Sequence, residues 1–282
     1  MQPLTSQQVQ AYLSHINSPA PQQADRANLD RLIGAHLQRV PFENLDVLLQ
    51  RPIRLDTDAL FAKVVERGRG GYCFEINALF AQLLQSLGYR VSLLGARVRW
   101  GLANDAAASM LSHLLLRVEL SAGSFIVDIG FGGPTPPCAL PLHGRDGLHA
   151  IPYQLQAPTA EQPLYQLQAR QNGQWQSMYQ FDLQPQVWVD HIARSWYTST
   201  HPQSIFLHTL MCARSQGDER LSLSNQSFSR RYSDGRVEQH AIGSAAQLLE
   251  LLVDQFGLRL DPSADAAPLH QRLQRLWHAN EQ

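Results

Sequence analysis

Nowhere does the 282-residue chain reach the roughly 18 consecutive apolar residues of a membrane-spanning helix. Its opening, Met1-Gln2-Pro3-Leu4-Thr5-Ser6-Gln7-Gln8, has neither a basic nor an apolar leader region, so a cytoplasmic location is expected. Charge of one sign is also missing. Twenty-three Lys and Arg stand against 24 Asp and Glu, a formal net charge of -1, which gives no electrostatic footprint for nucleic acid or an anionic membrane. Cysteine is scarce: Cys73, Cys138 and Cys212 are an odd number with no C-x-x-C pair, which argues against a disulfide scaffold and a cysteine-rich zinc site. Free thiols and no metal are therefore expected. No internal repeat or long low-complexity run occurs. Proline and glycine cluster at 130–147 and glutamine is frequent around 154–186, which read as loop and edge signals. What remains is an ordinary globular chain, 44% hydrophobic, whose length suggests about two domains.

The first pattern present is Arg67-Gly68-Arg69-Gly70-Gly71-Tyr72-Cys73-Phe74-Glu75-Ile76-Asn77. Downstream of it Phe74, Ala78, Leu79, Leu83, Leu84 and Leu87 recur at helical spacing, and Gly88 sits where a left-handed cap would close the helix. Cys73 is thus placed at or beside a helix N-terminus, where unpaired N–H groups and the helix dipole favour thiolate over thiol. The plainer alternative is a small buried hydrophobe. Burial alone, however, calls for neither the three glycines nor the positive charge of Arg67 and Arg69. No Gly-Lys-Ser/Thr follows, so the glycines are not a P-loop.

In chain order, Thr5 with Gln8 makes a capping box ahead of a stripe of Val9, Tyr12, Leu13 and Ile16. Leu29, Leu32, Ile33, His36 and Leu37 mark a second helix, with His36 read as a satisfied core histidine. After the turn Val40-Pro41-Phe42-Glu43-Asn44-Leu45, a third helix starts at Asp56 or Thr57. Residues 1–88 therefore read as a helical bundle. Strands follow at Tyr89–Trp100, Ser112–Leu120 and Phe125–Ile129, with a loop over 101–109 between the first two. A hairpin turning at Asn172-Gly173 joins Leu164–Gln171 to Gln174–Phe181, and a polar helix covers Val187–Tyr197. Strands at His208–Ala213, Leu221–Tyr232 and Arg236–Ile242 precede two helices, Ala245–Phe256 and Ala266–His278.

A catalytic thiolate needs an imidazole beside it, and that imidazole needs an acceptor on its other nitrogen. His113 opens the apolar run Leu114-Leu115-Leu116, where a polar ring has no packing reason to be. Asp128 lies within Phe125-Ile126-Val127-Asp128-Ile129, where a carboxylate is costly to bury without a partner. Singly, each also reads as a strand-end residue; adjacent strands could bring the two together. The following Gly130-Phe131-Gly132-Gly133-Pro134 is not a dinucleotide fingerprint, since its spacing is wrong and Pro134, Pro136 and Pro137 forbid the helix. It reads as a tight turn, or as a loop passing a thin ligand with Phe131 as a wall.

Four motifs in order, Pro41-Phe42-Glu43-Asn44-Leu45, Arg69-Gly70-Gly71-Tyr72-Cys73-Phe74-Glu75, Ser112-His113-Leu114-Leu115-Leu116 and Val127-Asp128-Ile129-Gly130-Phe131-Gly132, resemble those of the arylamine N-acetyltransferases of bacterial type. The likeness is strong over the first half. The second half matches mainly through Trp196-Tyr197-Thr198-Ser199-Thr200-His201-Pro202. The resemblance implies an α+β chain on a cysteine-protease or transglutaminase-like core: a helical bundle (1–88), an antiparallel β-barrel (89–190) and an α/β lid (191–282). It implies a triad of Cys73, His113 and Asp128, and Arg69 paired with Glu43 and Asn44. Phe42, Val98 and Phe131 would line an amine pocket, and Ser112 and Gly132 a coenzyme A channel. The implied activity is acetyl transfer from acetyl coenzyme A to arylamines, arylhydrazines or N-hydroxyarylamines through an acetyl-cysteine, as in xenobiotic metabolism. Two rivals remain: a cysteine peptidase or transglutaminase-like enzyme with the same triad, and a non-catalytic small-molecule binding protein.

Overall fold

A computed structural model describes residues 2–103, 106–143, 152–171 and 173–279. Asn104 and Asp105 of the loop over 101–109, residues 144–147 of the proline and glycine cluster, and Asn172 of the hairpin turn lie outside the described residues.

The N-terminal third is helical: α1 (Ser6–His15), α2 (Arg26–Arg39), the short α3 (Leu45–Leu48), α4 (Thr57–Phe61) and α5 (Cys73–Ser86). Thr5 and Gln8 form the capping box of α1, and the Asp56 side chain accepts from the Ala59 N–H to start α4. One π-helical turn, Ala62–Glu66, carries α4 toward the glycine bend. Every residue of α5 from Cys73 to Leu84 is buried, so this helix is the axis on which the molecule packs. His36 is less satisfied than its sequence suggests: Nδ1 meets the Tyr12 hydroxyl at 3.0 Å, while Nε2 has no partner among the described residues.

A seven-stranded antiparallel sheet follows, made of β2 (Arg90–Val98), β3 (Leu111–Leu120), β4 (Gly123–Val127), β5 (Leu140–Pro141), β6 (Tyr153–Gln156), β7 (Tyr165–Gln171) and β8 (Gln174–Phe181). Its spatial order is β5-β4-β3-β2-β8-β7-β6. Strands have a side-chain period of two, so β3 sends Leu114, Leu116 and Val118 to α5 and the bundle, and Leu115 to the other face. On that second face Leu94, Leu115, Ile126, Leu140, Tyr153, Leu167 and Tyr179 form one core although they span the sheet from edge to edge. That is possible only because the sheet curls into a barrel-like shape.

After α6 (Trp188–Thr200) a second antiparallel sheet forms from β9 (Met211–Gln216), β10 (Glu219–Ser224), β11 (Ser227–Tyr232) and β12 (Val237–Ala241). The run predicted as one strand over Leu221–Tyr232 is two. Asn225 takes a left-handed φ of 49° and turns the chain between them. The edge of this sheet, β1 (Phe42–Glu43), comes from the helical third and pairs with Ala213 and Cys212 of β9. Helices α7 (Ala245–Asp254) and α8 (Ala267–Ala279) close the chain against Leu221, Leu223 and Phe228. The molecule is thus an α+β fold. Among the described residues no helix is long and apolar enough to cross a membrane.

Candidate active site

Cys73 is the first residue of α5, and the glycines before it are explained by what crowds them. A Cβ on Gly70 would lie 2.0 Å from the Pro41 carbonyl oxygen, and one on Gly71 would lie 2.8 Å from Glu75 Cβ. Bare backbone here lets β1 run beside the bend, with the Glu43 N–H donating to the Gly71 carbonyl. It also lets Glu75 fold back to accept from the Tyr72 N–H at 3.1 Å, which fixes the first turn beneath the sulfur. Cys73 is only 3% exposed and belongs to the core shared by α5 and the barrel; it is deeper than a helix-start position implies.

His113 and Asp128 meet on the far side of Cys73. The register of β2 and β3 shifts at Ala96 and Arg97, which leaves Ser112 as an extra residue just before His113 and re-aims the ring. His113 Nε2 lies 2.7 Å from Asp128 Oδ2, both side chains being almost wholly buried. Burial opposes a charged His113. The Asp128 carboxylate, then its hydrogen bond, then Cys73 outweigh it and push the imidazole up to about 10. Asp128 is held below its usual range by His113, Asn77 and the Gly130 N–H against the opposing effect of burial. These influences favour the charged form of the ring, between a carboxylate and a sulfur, and Cys73 Sγ lies 3.9 Å from the Ser112 carbonyl oxygen.

Two residues complete this cluster that sequence reasoning left without a role. Asn77, one turn after Cys73, donates to Asp128 Oδ1 at 2.9 Å and to the Leu114 carbonyl at 2.7 Å, and accepts from the Ile129 N–H at 3.0 Å. Its place in the motif quoted above, four residues after the cysteine and so on the same helix face, was the available signal. Tyr179 of β8 packs on His113 with ring centroids 5.1 Å apart, and Phe131 stands edge-on to the same imidazole at 5.5 Å. Nothing local marks Tyr179, because the contact depends on β8 joining β2 across the barrel.

A cavity of about 750 Å³ opens onto Cys73 and His113. Phe42, Val98, Ser112, Phe131 and Gly132 all line it, so every pocket and channel residue named from the sequence faces one space. Gly132, at a φ of 82°, lies where a Cβ would strike the Phe42 ring at 2.6 Å.

The supporting residues divide. Arg69 donates to Glu43 from Nε at 3.1 Å and from Nη2 at 2.9 Å. Asn44 does not join them. It donates to the Phe206 and Thr209 carbonyls and accepts from the Met211 N–H, stitching the turn to the segment before β9. Sequence reasoning also missed the rest of this buried network: Lys63 lies 2.7 Å from both Glu75 and Asp46, and Arg69 lies 3.1 Å from Asp265. Among the described residues no cluster of His, Cys, Asp and Glu could hold a metal ion.

Comparison with known proteins places the chain among the acyltransferases. Residues 25–265 match the family model described as N-acetyltransferase. The chain is 37% identical over 254 residues to the arylamine N-acetyltransferase of Mycolicibacterium smegmatis, covering 88% of this chain and 91% of that protein. It is 40% identical over 232 residues to the arylamine N-acetyltransferase / N-hydroxyarylamine O-acetyltransferase of Salmonella typhimurium, covering 79% of each. Among solved structures, the Mycobacterium marinum arylamine N-acetyltransferase in complex with CoA superposes with a TM-score of 0.88 at 34% identity, over 95% of this chain and 99% of that one. The chain belongs to the arylamine N-acetyltransferase family.

Proposed function

We propose that this chain transfers an acetyl group from acetyl coenzyme A to arylamines, arylhydrazines or N-hydroxyarylamines by a ping-pong route through Cys73. The observation that carries the reading is the His113–Asp128 contact of 2.7 Å beside Cys73 at the wall of a mixed apolar and polar cavity. The names of the Salmonella relative and of the coenzyme-bound Mycobacterium marinum structure support it.

With its proton already on His113, Cys73 attacks the donor carbonyl as a thiolate, and the tetrahedral intermediate collapses with loss of the coenzyme sulfur, which takes that proton from His113. One thioester replaces another, so little energy is lost. The amine then attacks the acetyl-cysteine, His113 takes the proton that the nitrogen sheds, and the Cys73 thiolate leaves. Asp128 keeps the ring oriented throughout and stabilises its charged form. Backbone N–H groups at the start of α5 are the oxyanion donors. Phe42, Val98 and Phe131 hold the aromatic ring, Ser112 and Gly132 border the donor's channel, and Arg69 with Glu43 braces the turn beneath. Residues 1–88, 89–190 and 191–282 contribute in that order the nucleophile, the base with its orienter, and the cover.

The test is the covalent intermediate. Incubated with acetyl coenzyme A alone, the protein should gain about one acetyl mass on Cys73 and release about one coenzyme A per chain in a burst. An arylamine should then discharge it, and Cys73→Ser should do neither. Acetyl groups spread over lysines, or carried on Cys138 or Cys212 with no burst, would refute the mechanism. Amide hydrolysis in place of transfer would favour a peptidase.

A further inference from the structure

One wall of the cavity that holds Cys73 and His113 is the β10–β11 face of the C-terminal sheet. It presents Arg220, Ser222 and Ser224 from one strand and Ser227, Ser229 and Arg231 from the other. The register sets these side chains directly opposite one another: Ser224 to Ser227, Ser222 to Ser229, and Arg220 to Arg231. The alternate residues Leu221 and Phe228 turn the other way, into the core under α7 and α8, while Leu223, packed in that same core, also borders the cavity. The cavity face of the two strands is therefore mainly polar, with Leu223 its one apolar contributor among the described lining residues. An aromatic acceptor asks for apolar walls, and Phe42, Val98, Trp100 and Phe131 already provide them. At ~3.3 Å per residue, the track from Ser224 to Arg220 is about 13 Å long, more than an arylamine ring spans.

The two arginines are the second observation. Like charges directly opposite each other on neighbouring strands repel. Among the described residues neither guanidinium is paired with a carboxylate; Arg220 donates instead to the Tyr153 hydroxyl at 3.1 Å. Arg230, which faces away from the cavity, does have a partner in Glu219 at 3.4 Å. Burial, and then the charge of Arg220, lower the proton affinity of Arg231. Two half-buried cations facing each other across a ladder, beside hydroxyl donors and without a counter-ion, are the complement of a multiply charged anion.

We propose that Arg220 and Arg231 seat the phosphate end of the acyl donor, with the serine track lining the path from that seat along the cavity. The proposal rests on the donor being a coenzyme A thioester, which carries its acyl group at one end and its phosphates at the other. The carboxylate of an acidic arylamine is the other possible source of an anion, but it lacks the multiple charge and the length that the track accommodates.

Arg220→Gln, Arg231→Gln and the double variant test the seat. With acetyl coenzyme A, the double variant should raise KM about 10- to 100-fold with kcat within about twofold, as for the loss of two charge-assisted hydrogen bonds. Loading of Cys73 by p-nitrophenyl acetate, which has no phosphate, should stay within about twofold. KM for 4-aminobenzoate should change no more than KM for the neutral 4-methoxyaniline. Calorimetric binding of coenzyme A itself should weaken by the same factor as KM. Unchanged coenzyme A binding overturns the proposal, as do equal losses with both donors or a loss confined to 4-aminobenzoate. A failure of the acyl-transfer reading would look different: no acetyl on Cys73 from either donor, while the binding measurement still decides the seat.

Discussion

Replacing Lys63 with methionine should destabilise the protein by an amount that depends on pH. Lys63 Nζ lies 2.7 Å from Glu75, 2.7 Å from Asp46 and 3.9 Å from Glu43, with its side chain 7% exposed. Asp46 keeps Arg51 and Arg69, and Glu43 keeps Arg69, so Glu75 is the group left alone. Removing one partner of a buried ion pair costs about 3–5 kcal/mol, a large part of the ~5–15 kcal/mol that holds a domain together. Burial first, then Glu43 and Asp46, already push the Glu75 carboxyl up to about 7 against the pull of Lys63; without Lys63 it rises further. An acid whose folded value is raised loses stability as the pH climbs from its ordinary 4.5 through the folded value. The loss in Lys63→Met should therefore be smaller at pH 5.5, where Glu75 is neutral, than at pH 8. Urea unfolding at both values measures it through the midpoint at constant slope. Adding Glu75→Gln should recover most of the loss at pH 8, because a neutral isosteric pair replaces a broken ionic one. Equal destabilisation at the two pH values, or no recovery in the double variant, would refute the assignment of Glu75 as the stranded charge.

Asp128→Asn keeps the size of the orienter but offers a donor where His113 needs an acceptor, so acetyl transfer should fall by about 10²- to 10⁴-fold. A transfer rate within threefold of the parent would remove Asp128 from the mechanism. Gly130→Ala would put a Cβ 2.8 Å from Asn77 Nδ2 and 3.0 Å from the Cα of Cys73, a backbone atom that cannot swing aside. We expect a loss of about 1–3 kcal/mol of stability and a lower kcat, whereas Gly133→Ala, whose Cβ meets only Phe131 at 4.0 Å, should be mild. Equal melting temperatures and rates for the two variants would show that the Gly130 contact does not matter.

Local chemistry was legible in the chain: caps at Thr5 and Asp56, the helix carrying Cys73, and isolated polar residues such as His113 and Asp128 in apolar strands. Each of those signals is complete within a few residues. Pairings between distant segments were not. Phe42–Glu43 reads as a turn because a two-residue strand has no periodicity, and only Ala213 and Cys212 make it one. Asn44 was assigned to Arg69 by resemblance, yet carbonyls far along the chain claim its amide. The hairpin at Asn225 was hidden because Asn225 is followed by Gln226, not by the glycine that announces such turns. Tyr179, Lys63 and Asp265 each look like ordinary surface or core positions until the tertiary fold brings an imidazole, carboxylates and guanidinium groups, respectively, beside them.

The pairing of β1 with β9 also orders events in time. Phe42 leaves the ribosome ahead of Ala213, its ladder partner, which follows on the order of 10 s later at ~5–20 residues per second. Asp265, which reaches back to Arg69 beside the glycine bend, comes later still. The helix with Cys73 can form early, but the turn that walls its cavity stays without its sheet, and Arg69 without one of its anions, until the C-terminal residues are made. A nascent chain therefore carries its cysteine through the synthesis of every residue up to Asp265 before the site around it is complete.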